Sequence, residues 1–258
     1  MIELNKIYNE DCLEGMKRIP NGSIDCIICD LPYEVLNKGN EAAKWDRIIP
    51  FEPLWEQYER VIKKNGAIIL FAQGMFTAKL MMSNEKLWRY NLVWDKCRAT
   101  GFLNANRMPL RYHEDLLVFY KKLPTYNPQM EELNGREPNH NQAHGLHKEK
   151  NQCYGSVKRI NPTYADKKHP RSIIKIKAVH CNEGQHHPTQ KPVALLEYLI
   201  KTYTNEGETI LDNCIGSGTT AVAAIRTKRN FIGFELQKEY FDIANKRIAN
   251  EMAQLSLF

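Results

Sequence analysis

A short polar and aromatic motif lies where a buried strand should end. Asp30, Leu31, Pro32 and Tyr33 follow the apolar run 24–29. Open α/β sheets bind ligands at this edge of the strands. There the Asp30 carboxylate and the Leu31 carbonyl, held outward by the rigid Pro32, could each accept one N–H of an exocyclic amine. The amine nitrogen would then be a better nucleophile toward a methyl donor.

Two acceptors on an amine stabilise the positive charge that develops as it attacks, more than they stabilise the resting amine. The Tyr33 ring would stack on the face of a nucleobase. The same four residues also fit a plain turn after a strand. The motif therefore needs support from other parts of the chain.

A second candidate site follows the predicted strand 208–212. The turn 213–220 has the sequence Asn-Cys-Ile-Gly-Ser-Gly-Thr-Thr and leads into a helix at 221–226. Glycines let the backbone approach a ligand closely. The next strand, 230–235, ends on Glu235, an acid placed to accept hydrogen bonds from ribose hydroxyls. Nicotinamide-binding folds and plain tight turns share these features.

The elements that must position these residues alternate between strands and helices. Apolar runs predict strands at 5–9, 24–29, 67–72, 91–94 and 116–120, with a helix from Phe51 that ends at the residues Lys-Lys-Asn-Gly 63–66. This alternation indicates an α/β fold with a mainly parallel, twisted sheet and helices on both faces.

The pattern dissolves between residues 121 and 178. This polar segment contains many Lys, Arg, Asn, Gln and His residues, with Tyr126, Tyr154 and Tyr164 among them. Such side chains can contact base edges, so we interpret 121–178 as an insertion that recognises the target sequence. A solvated linker is the alternative. The predicted organisation is 1–120, the insertion, and 179–258, in which the first and last segments are halves of one domain.

Composition narrows the class of protein. The 258 residues carry a net charge of +6, which favours an anionic partner. Cys26 and Cys29, two of the seven cysteines, lie in the apolar run 24–29, which indicates buried free thiols. No leader is apparent, and no apolar run approaches the ~18 residues that cross a bilayer. We expect a cytoplasmic protein without a membrane partner.

The histidines near residue 180 do not predict a metal site. His180, Cys181, His186 and His187 have a spacing that fits no standard zinc pattern.

Three separated segments together resemble the beta group of DNA amino-methyltransferases. They are the Asp-Leu-Pro-Tyr motif 30–33, the segment His-Pro-Thr-Gln-Lys-Pro 187–192, and the glycine turn with Glu235. In that family the first motif is usually Asp-Pro-Pro-Tyr, and a Pro-Phe pair usually stands where this chain has Asn213 and Cys214. The resemblance covers most of the chain outside 121–178.

The resemblance implies a Rossmann-like methyltransferase fold with S-adenosyl-L-methionine as cofactor. Asp30, Leu31, Pro32 and Tyr33 would be catalytic. Asp11 fits the N-terminal cap of a short helix, and the family also uses an acid there to bind the cofactor. Thr189 would cap the helix that begins near Pro192, and Lys191 would help to bind the methionine carboxylate. The full predicted cofactor set is Asp11, Cys12, Asp30, His187, Thr189, Gln190, Lys191, Asp212, Asn213, Cys214, Gly216, Ser217, Gly218, Thr219, Thr220 and Glu235.

The function implied is methyl transfer to N6 of an adenine that has swung out of DNA. The alternatives are N4 methylation of cytosine by the same fold, for which Ser more often replaces the aspartate, and a catalytically silent DNA-binding protein. A dehydrogenase would leave the motif 30–33 unexplained. The resemblance also leads us to expect homodimers and, for a modification enzyme, a cognate restriction endonuclease.

Overall fold

The computed structural model describes residues 2–34, 46–132, 167–179 and 189–255. The chain divides into two compact units, of which the first contains residues 1–127 and 172–258 and the second residues 128–171. The helices are Cys12–Met16 (α1), Phe51–Val61 (α2), Met75–Ser83 (α3), Val193–Tyr203 (α4), Thr219–Arg226 (α5) and Lys238–Leu255 (α6). The strands are Lys6–Tyr8 (β1), Ile24–Cys29 (β2), Ile62–Ala72 (β3), Trp88–Thr100 (β4), Arg111–Phe119 (β5), Glu131–Glu132 (β6), Lys167–Lys168 (β7), Ile173–Lys175 (β8), Thr209–Asp212 (β9) and Asn230–Phe234 (β10).

An eight-stranded sheet forms the centre of the first unit, in the order β1-β10-β9-β2-β3-β5-β4-β8. The strands from β1 to β3 along this order are parallel to one another. Strand β5 runs antiparallel to both of its neighbours, and β8 lies parallel to β4 at the edge. The predicted α/β fold with a mostly parallel sheet is confirmed.

The central strands are largely apolar because both of their faces are covered. In β2, Cys26 and Ile28 pack into the cluster on one face, with residues of α4, α5 and α6. Ile27 and Cys29 pack into the cluster on the other face, with residues of α1, α2 and α3. Parallel strands buried on both faces have continuous apolar sequences of this kind.

One boundary prediction is wrong. Residues 63–66, expected to end a helix, belong to β3, which begins at Ile62 directly after α2. The Lys63 ammonium lies 2.6 Å from the Asp25 carboxylate on the neighbouring strand. A Cβ atom on Gly66 would lie 2.7 Å from the Asp25 carbonyl oxygen. This glycine therefore allows two strands to approach closely and does not cap a helix.

The second unit is narrower than the predicted insertion 121–178, since residues 121–127 and 172–178 belong to the first unit. Its described part is an antiparallel pair of short strands, β6 and β7. Glu132 and Lys167 form an ion pair of 3.4 Å across them. Residues 133–166, which include Tyr154 and Tyr164, lie outside the described residues. In the described part of the chain, no helix has the length and hydropathy to cross a membrane.

Candidate active site

The carboxyl ends of the parallel strands border a cleft of about 1500 Å³. The chain continues from β2 to β3 on one side, whereas β9, on the other side of β2, is followed by β10 farther away. Ligands of α/β sheets bind at such a point of divergence. Asp30 follows β2, Asp212 ends β9 and Glu235 follows β10, and all three line the cleft. The sheet therefore brings the predicted catalytic and cofactor residues to one edge.

Both oxygens of the Asp30 carboxylate accept hydrogen bonds. The Tyr33 hydroxyl donates to Oδ1 at 2.6 Å, and the Lys191 ammonium donates to Oδ2. Burial raises the pKa of Asp30, the Lys191 ammonium opposes that rise, and the nearby Glu114 carboxylate adds to it. A carboxylate has about four lone-pair sites, so each oxygen of Asp30 can still accept one more hydrogen bond.

A buried row of alternating charges continues from Asp30 across the sheet. Lys191 Nζ lies 3.4 Å from Glu114 Oε2, and Lys96 Nζ lies 3.3 Å from Glu114 Oε1. Burial by itself would raise the pKa of Glu114, but Lys191 and Lys96 together hold it below its usual value. Burial would lower the pKa of Lys191, and the two carboxylates outweigh that effect and raise it. Lys191 is therefore a cation held between two anions.

Sequence reasoning missed Glu114 and Lys96, although a signal for them exists. Glu114 pairs with Trp94 across the β4–β5 ladder, and Lys96 lies two residues beyond Trp94 on the same face. Since Trp94 and Lys96 are both buried, this face is turned inward. A lysine and a glutamate at inward positions of neighbouring strands predict a buried ion pair.

The backbone after Pro32 is held by a residue from the following loop. One oxygen of Asp46, a buried residue, accepts hydrogen bonds from the backbone N–H groups of Tyr33 at 2.8 Å and Glu34 at 3.0 Å. The Tyr33 ring stacks on Phe76, with centroids 4.7 Å apart. The aromatic wall of the motif is therefore fixed in place. Trp45, the residue before Asp46, lies outside the described residues.

Asp212 is a buried acid at the end of β9. Burial raises its pKa to about 7. The Thr220 hydroxyl donates to Oδ2 at 2.5 Å and the Cys214 N–H to Oδ1 at 3.1 Å, and both bonds oppose the rise. The charge of Asp30 contributes to raising the pKa of Asp212, so the two acids are electrostatic neighbours across the cleft.

Glu235 organises the glycine turn. Its carboxylate accepts hydrogen bonds from the N–H of Gly216 at 2.9 Å and the N–H of Gln237 at 2.7 Å. Burial raises its pKa. Gly218 adopts φ +82°, and a Cβ atom there would lie 2.9 Å from the Ala244 Cβ of α6. The turn needs glycine at this position both for its backbone conformation and for its packing.

Ser217 and Thr219 complete the turn. The Ser217 hydroxyl donates to Gln190 at 3.2 Å, which joins the turn to the segment before α4. Arg247 of α6 donates to the Ser217 carbonyl and lies 3.3 Å from the Thr219 hydroxyl oxygen. The predicted residues Gln190, Ser217 and Thr219 therefore meet at the cleft, whose lining includes all three.

Asn213 is a buried amide that joins both halves of the site. It accepts a hydrogen bond from the Tyr58 hydroxyl of α2. Its amide nitrogen lies 3.5 Å from the thiols of Cys12 and Cys214. The predicted residues Cys12, Asn213 and Cys214 thus form one cluster under the cleft.

Asp11 is the N-terminal cap of α1, as predicted. Its carboxylate accepts hydrogen bonds from the N–H groups of Leu13 at 2.8 Å and Glu14 at 3.3 Å. Asp11 also lines the cleft, where it could contact the cofactor. Its role in cofactor binding stays a prediction.

One expectation for the segment before α4 is corrected. Pro192 is the N-terminal cap residue of α4, without a side-chain hydrogen bond, so Thr189 does not cap this helix. Lys191 lies between the carboxylates of Asp30 and Glu114. Its contact with the methionine carboxylate stays a prediction. His187 lies outside the described residues, as do His180, Cys181 and His186.

Comparison with known proteins identifies the family. The family model described as DNA methylase matches residues 24–246. The chain belongs to the DNA methylase family. One relative of this methylase is Type II methyltransferase M.HpaI of Haemophilus parainfluenzae, 27% identical over 95% of this chain and 74% of the relative. Another is DNA adenine methyltransferase YhdJ of Escherichia coli K12, 28% identical over 98% of this chain and 88% of the relative.

Solved structures agree with this assignment. The M1.HpyAVI-SAM complex has a TM-score of 0.61 and 25% identity, with 94% of this methylase and 98% of that chain covered. The cytosine-N4-specific PvuII DNA methyltransferase has a TM-score of 0.64 at 16% identity, over 96% and 91% of the two chains, and so shares the fold. The predicted family, methyltransferase fold, DNA substrate and S-adenosyl-L-methionine cofactor are confirmed.

The residues of this methylase fit the cofactor. The turn 216–218 is glycine-rich and closely packed, and Glu235 beside it is a buried acceptor at the end of a strand. Ile215 and Leu236 add apolar surface to the same wall of the cleft. A buried acid suits ribose hydroxyls, and the apolar residues suit a purine ring.

Proposed function

We propose that this methylase modifies N6 of an adenine that has left the DNA helix, and that Asp30 and the Leu31 carbonyl activate the amine. The observation that carries the proposal is the position of Asp30, which lines the same cleft as the glycine turn and is an electrostatic neighbour of Asp212. Aspartate at this position is typical of adenine-modifying relatives, and one relative is named a DNA adenine methyltransferase.

The chain's own groups would act as follows. Asp30 and the Leu31 carbonyl accept the two N–H groups of the amine and localise its lone pair. Tyr33, supported by Phe76, stacks on the base. Tyr33 and Lys191 hold the Asp30 carboxylate in a fixed direction, so little reorganisation is needed when charge develops on the amine. S-Adenosyl-L-methionine supplies the methyl group on a sulfonium, with Asp212, the glycine turn and Glu235 as its binding residues.

Asp30 must be ionised to stabilise the positive charge that develops on the amine and to accept a proton from it. Lys191 opposes the rise in pKa that burial and Glu114 cause. We therefore assign to Lys191 the role of keeping Asp30 charged, and its contact with the methionine carboxylate stays a prediction. Glu114 and Lys96 in turn hold Lys191 in position.

The experiment is methylation of DNA from a host that lacks adenine and cytosine methylation, with labelled S-adenosyl-L-methionine. The DNA is then hydrolysed to nucleosides, which mass spectrometry identifies. We expect N6-methyl-2′-deoxyadenosine. Label in N4-methyl-2′-deoxycytidine would contradict the adenine assignment, and the absence of label from DNA would contradict the proposed reaction as a whole.

We further propose that the second unit selects the target sequence and that a cognate restriction endonuclease accompanies the enzyme. The polar composition of 133–166 supports the first point. M.HpaI, M.BglII and M.HinfI are named Type II methyltransferases, which supports the second. A homodimer is carried as a proposal from the family resemblance, to be tested by sedimentation at several concentrations.

A further inference from the structure

The adjoining ends of β4 and β5 and the turn between them, residues 97–112, form a structured segment that we name the hairpin tip. Gly101 adopts φ +83°, and a 3-10 turn follows at Phe102–Asn104. The N–H groups of Arg107 and Met108 donate to the Asn104 carbonyl at 2.8 and 3.0 Å. The hairpin tip therefore has a defined shape of its own.

The hairpin tip lies at the cleft that contains Asp30. Six residues of the hairpin tip border this cleft, namely Arg98, Ala99, Thr100, Gly101, Phe102 and Arg111. The hairpin tip is therefore placed to contact a duplex that delivers a base into the cleft.

Large apolar side chains of the tip are exposed. Phe102 is 77% exposed and Leu103 is 83% exposed, side by side at the 3-10 turn. Met108, Leu110 and Tyr112 are also exposed. Contiguous exposed apolar surface on a protein marks an interaction site.

The charge of the segment indicates the kind of partner. Residues 96–113 contain four Lys or Arg residues and no Asp or Glu. Lys96 is buried against Glu114, whereas Arg98, Arg107 and Arg111 are exposed. Neither Arg98 nor Arg107 has an ion pair with another described residue. Exposed apolar side chains can contact stacked bases, and arginines on either side of them can contact the phosphates that flank those bases.

We propose that Phe102 and Leu103 insert into the DNA duplex beside the target adenine, while Arg98, Arg107 and Arg111 contact the flanking phosphates. An adenine that leaves the helix opens a gap in the base stack, and unstacking costs free energy. Apolar side chains that fill the gap recover part of that cost. The inference rests on the proposed function, because it assigns a DNA contact to the same cleft.

The test compares the wild type with the double variant Phe102→Ser and Leu103→Ser in methyl transfer to duplex genomic DNA. The matched control is Leu123→Ser, since Leu123 is also 77% exposed but does not border the cleft. We expect kcat/KM for DNA to fall 10-fold to 100-fold in the double variant. The control should stay within twofold of wild type. Calorimetric affinity for the cofactor and the melting temperature should be unchanged in both variants.

A second measurement tests the arginines with a fluorescein-labelled duplex of mixed sequence. Fluorescence anisotropy at several salt concentrations should show that Arg98→Ala and Arg107→Ala each reduce the salt slope of log K by about one. The inference is overturned if the double variant transfers methyl groups as fast as wild type, or if both arginine variants keep the wild-type slope. If the wild-type protein transfers no methyl group to DNA, the proposed function fails. The salt slopes still test the phosphate contacts in that case.

Discussion

The Lys191 ammonium donates a hydrogen bond to the Asp30 carboxylate, although the two residues lie 161 positions apart in the chain. Asp30 follows a strand of the amino-terminal half, and Lys191 precedes the first helix of the carboxyl-terminal half. Asp30, the acid proposed to activate the amine, is thus oriented by Lys191, a residue from the half that carries the glycine turn. The groups around this contact, and those of the nearby glycine turn, allow four predictions.

Replacement of Asp30 with alanine should stop methylation without removing the cofactor site. The two acceptors for the amine are reduced to one, and loss of one such transition-state contact typically costs at least about 100-fold in kcat. The measurement is single-turnover transfer of labelled methyl groups, with calorimetry for cofactor affinity. Asp30→Asn keeps the shape and one acceptor, so it should retain more activity than Asp30→Ala. Brisk methylation by the alanine variant would rule out the assignment.

The charges beside Asp30 should shift the pH profile of kcat in opposite directions. Since the carboxylate is the active form, kcat should rise with pH through the pKa of Asp30. Lys191→Met removes the cation that lowers this pKa, so the rise should move to higher pH. Glu114→Gln removes an anion that raises the pKa, so the rise should move to lower pH.

The control for this pH experiment is Lys191→Arg, which keeps the charge and should keep the profile near that of wild type. The other groups that act on or beside Asp30 are Tyr33, Cys29 and Asp212, and they are unchanged in all three variants. Shifts of the same sign in the methionine and glutamine variants would contradict the role assigned to Lys191.

Loss of the Thr220 hydroxyl should destabilise the protein more at pH 8 than at pH 5. The pKa of Asp212 is about 7 in the folded protein, against a usual value of 3.8. The folded state therefore holds a proton that the unfolded state has released, and the stability that this proton provides falls as pH rises from about 4 to about 7. Above pH 7 the Thr220 hydroxyl donates its hydrogen bond to the ionised, buried Asp212 carboxylate.

Thr220→Val should lower the free energy of unfolding by about 2 kcal/mol at pH 8, as expected for a hydrogen bond to a charged group, and by less at pH 5. Urea denaturation at the two pH values measures this difference. The matched control is Thr227→Val, because the buried Thr227 hydroxyl donates to the neutral Ala223 carbonyl. Its cost should be equal at both pH values. An equal cost for Thr220→Val as well would contradict the buried anion.

Alanine at Gly218 should disturb the glycine turn and weaken cofactor binding, whereas alanine at Gly22 should leave both unchanged. Both glycines have positive φ, so each substitution costs about 1 kcal/mol of backbone strain. Only at Gly218 does the added Cβ meet a neighbour, Ala244 of α6, whereas the space around Gly22 is open. We expect Gly218→Ala to cost more stability and to weaken cofactor binding at least about tenfold, or about 1.4 kcal/mol. Calorimetry and urea denaturation measure both quantities, and equal effects at the two positions would show that the contact with α6 is unimportant.

The sequence by itself determined the central strands and the ends at which the site lies. The strands 24–29 and 209–212 are buried on both faces, so each has an apolar centre and is followed by a polar motif. The Asp-Leu-Pro-Tyr motif, the glycine turn and Glu235 could be assigned because each is a local signal at the end of such a run. The helix cap at Asp11 was predictable for the same reason.

The tertiary structure alone decided which residues meet. Lys63 and Gly66 read locally as the end of a helix, but a neighbouring strand with Asp25 draws them into β3. Lys191 turns to Asp30 and Glu114 because the sheet order places two buried carboxylates around it. Periodicity along a chain gives the face of each residue but not the order of the strands. A buried charge takes its partner from whichever strand or segment lies beside it, and that is settled only when the sheet has assembled.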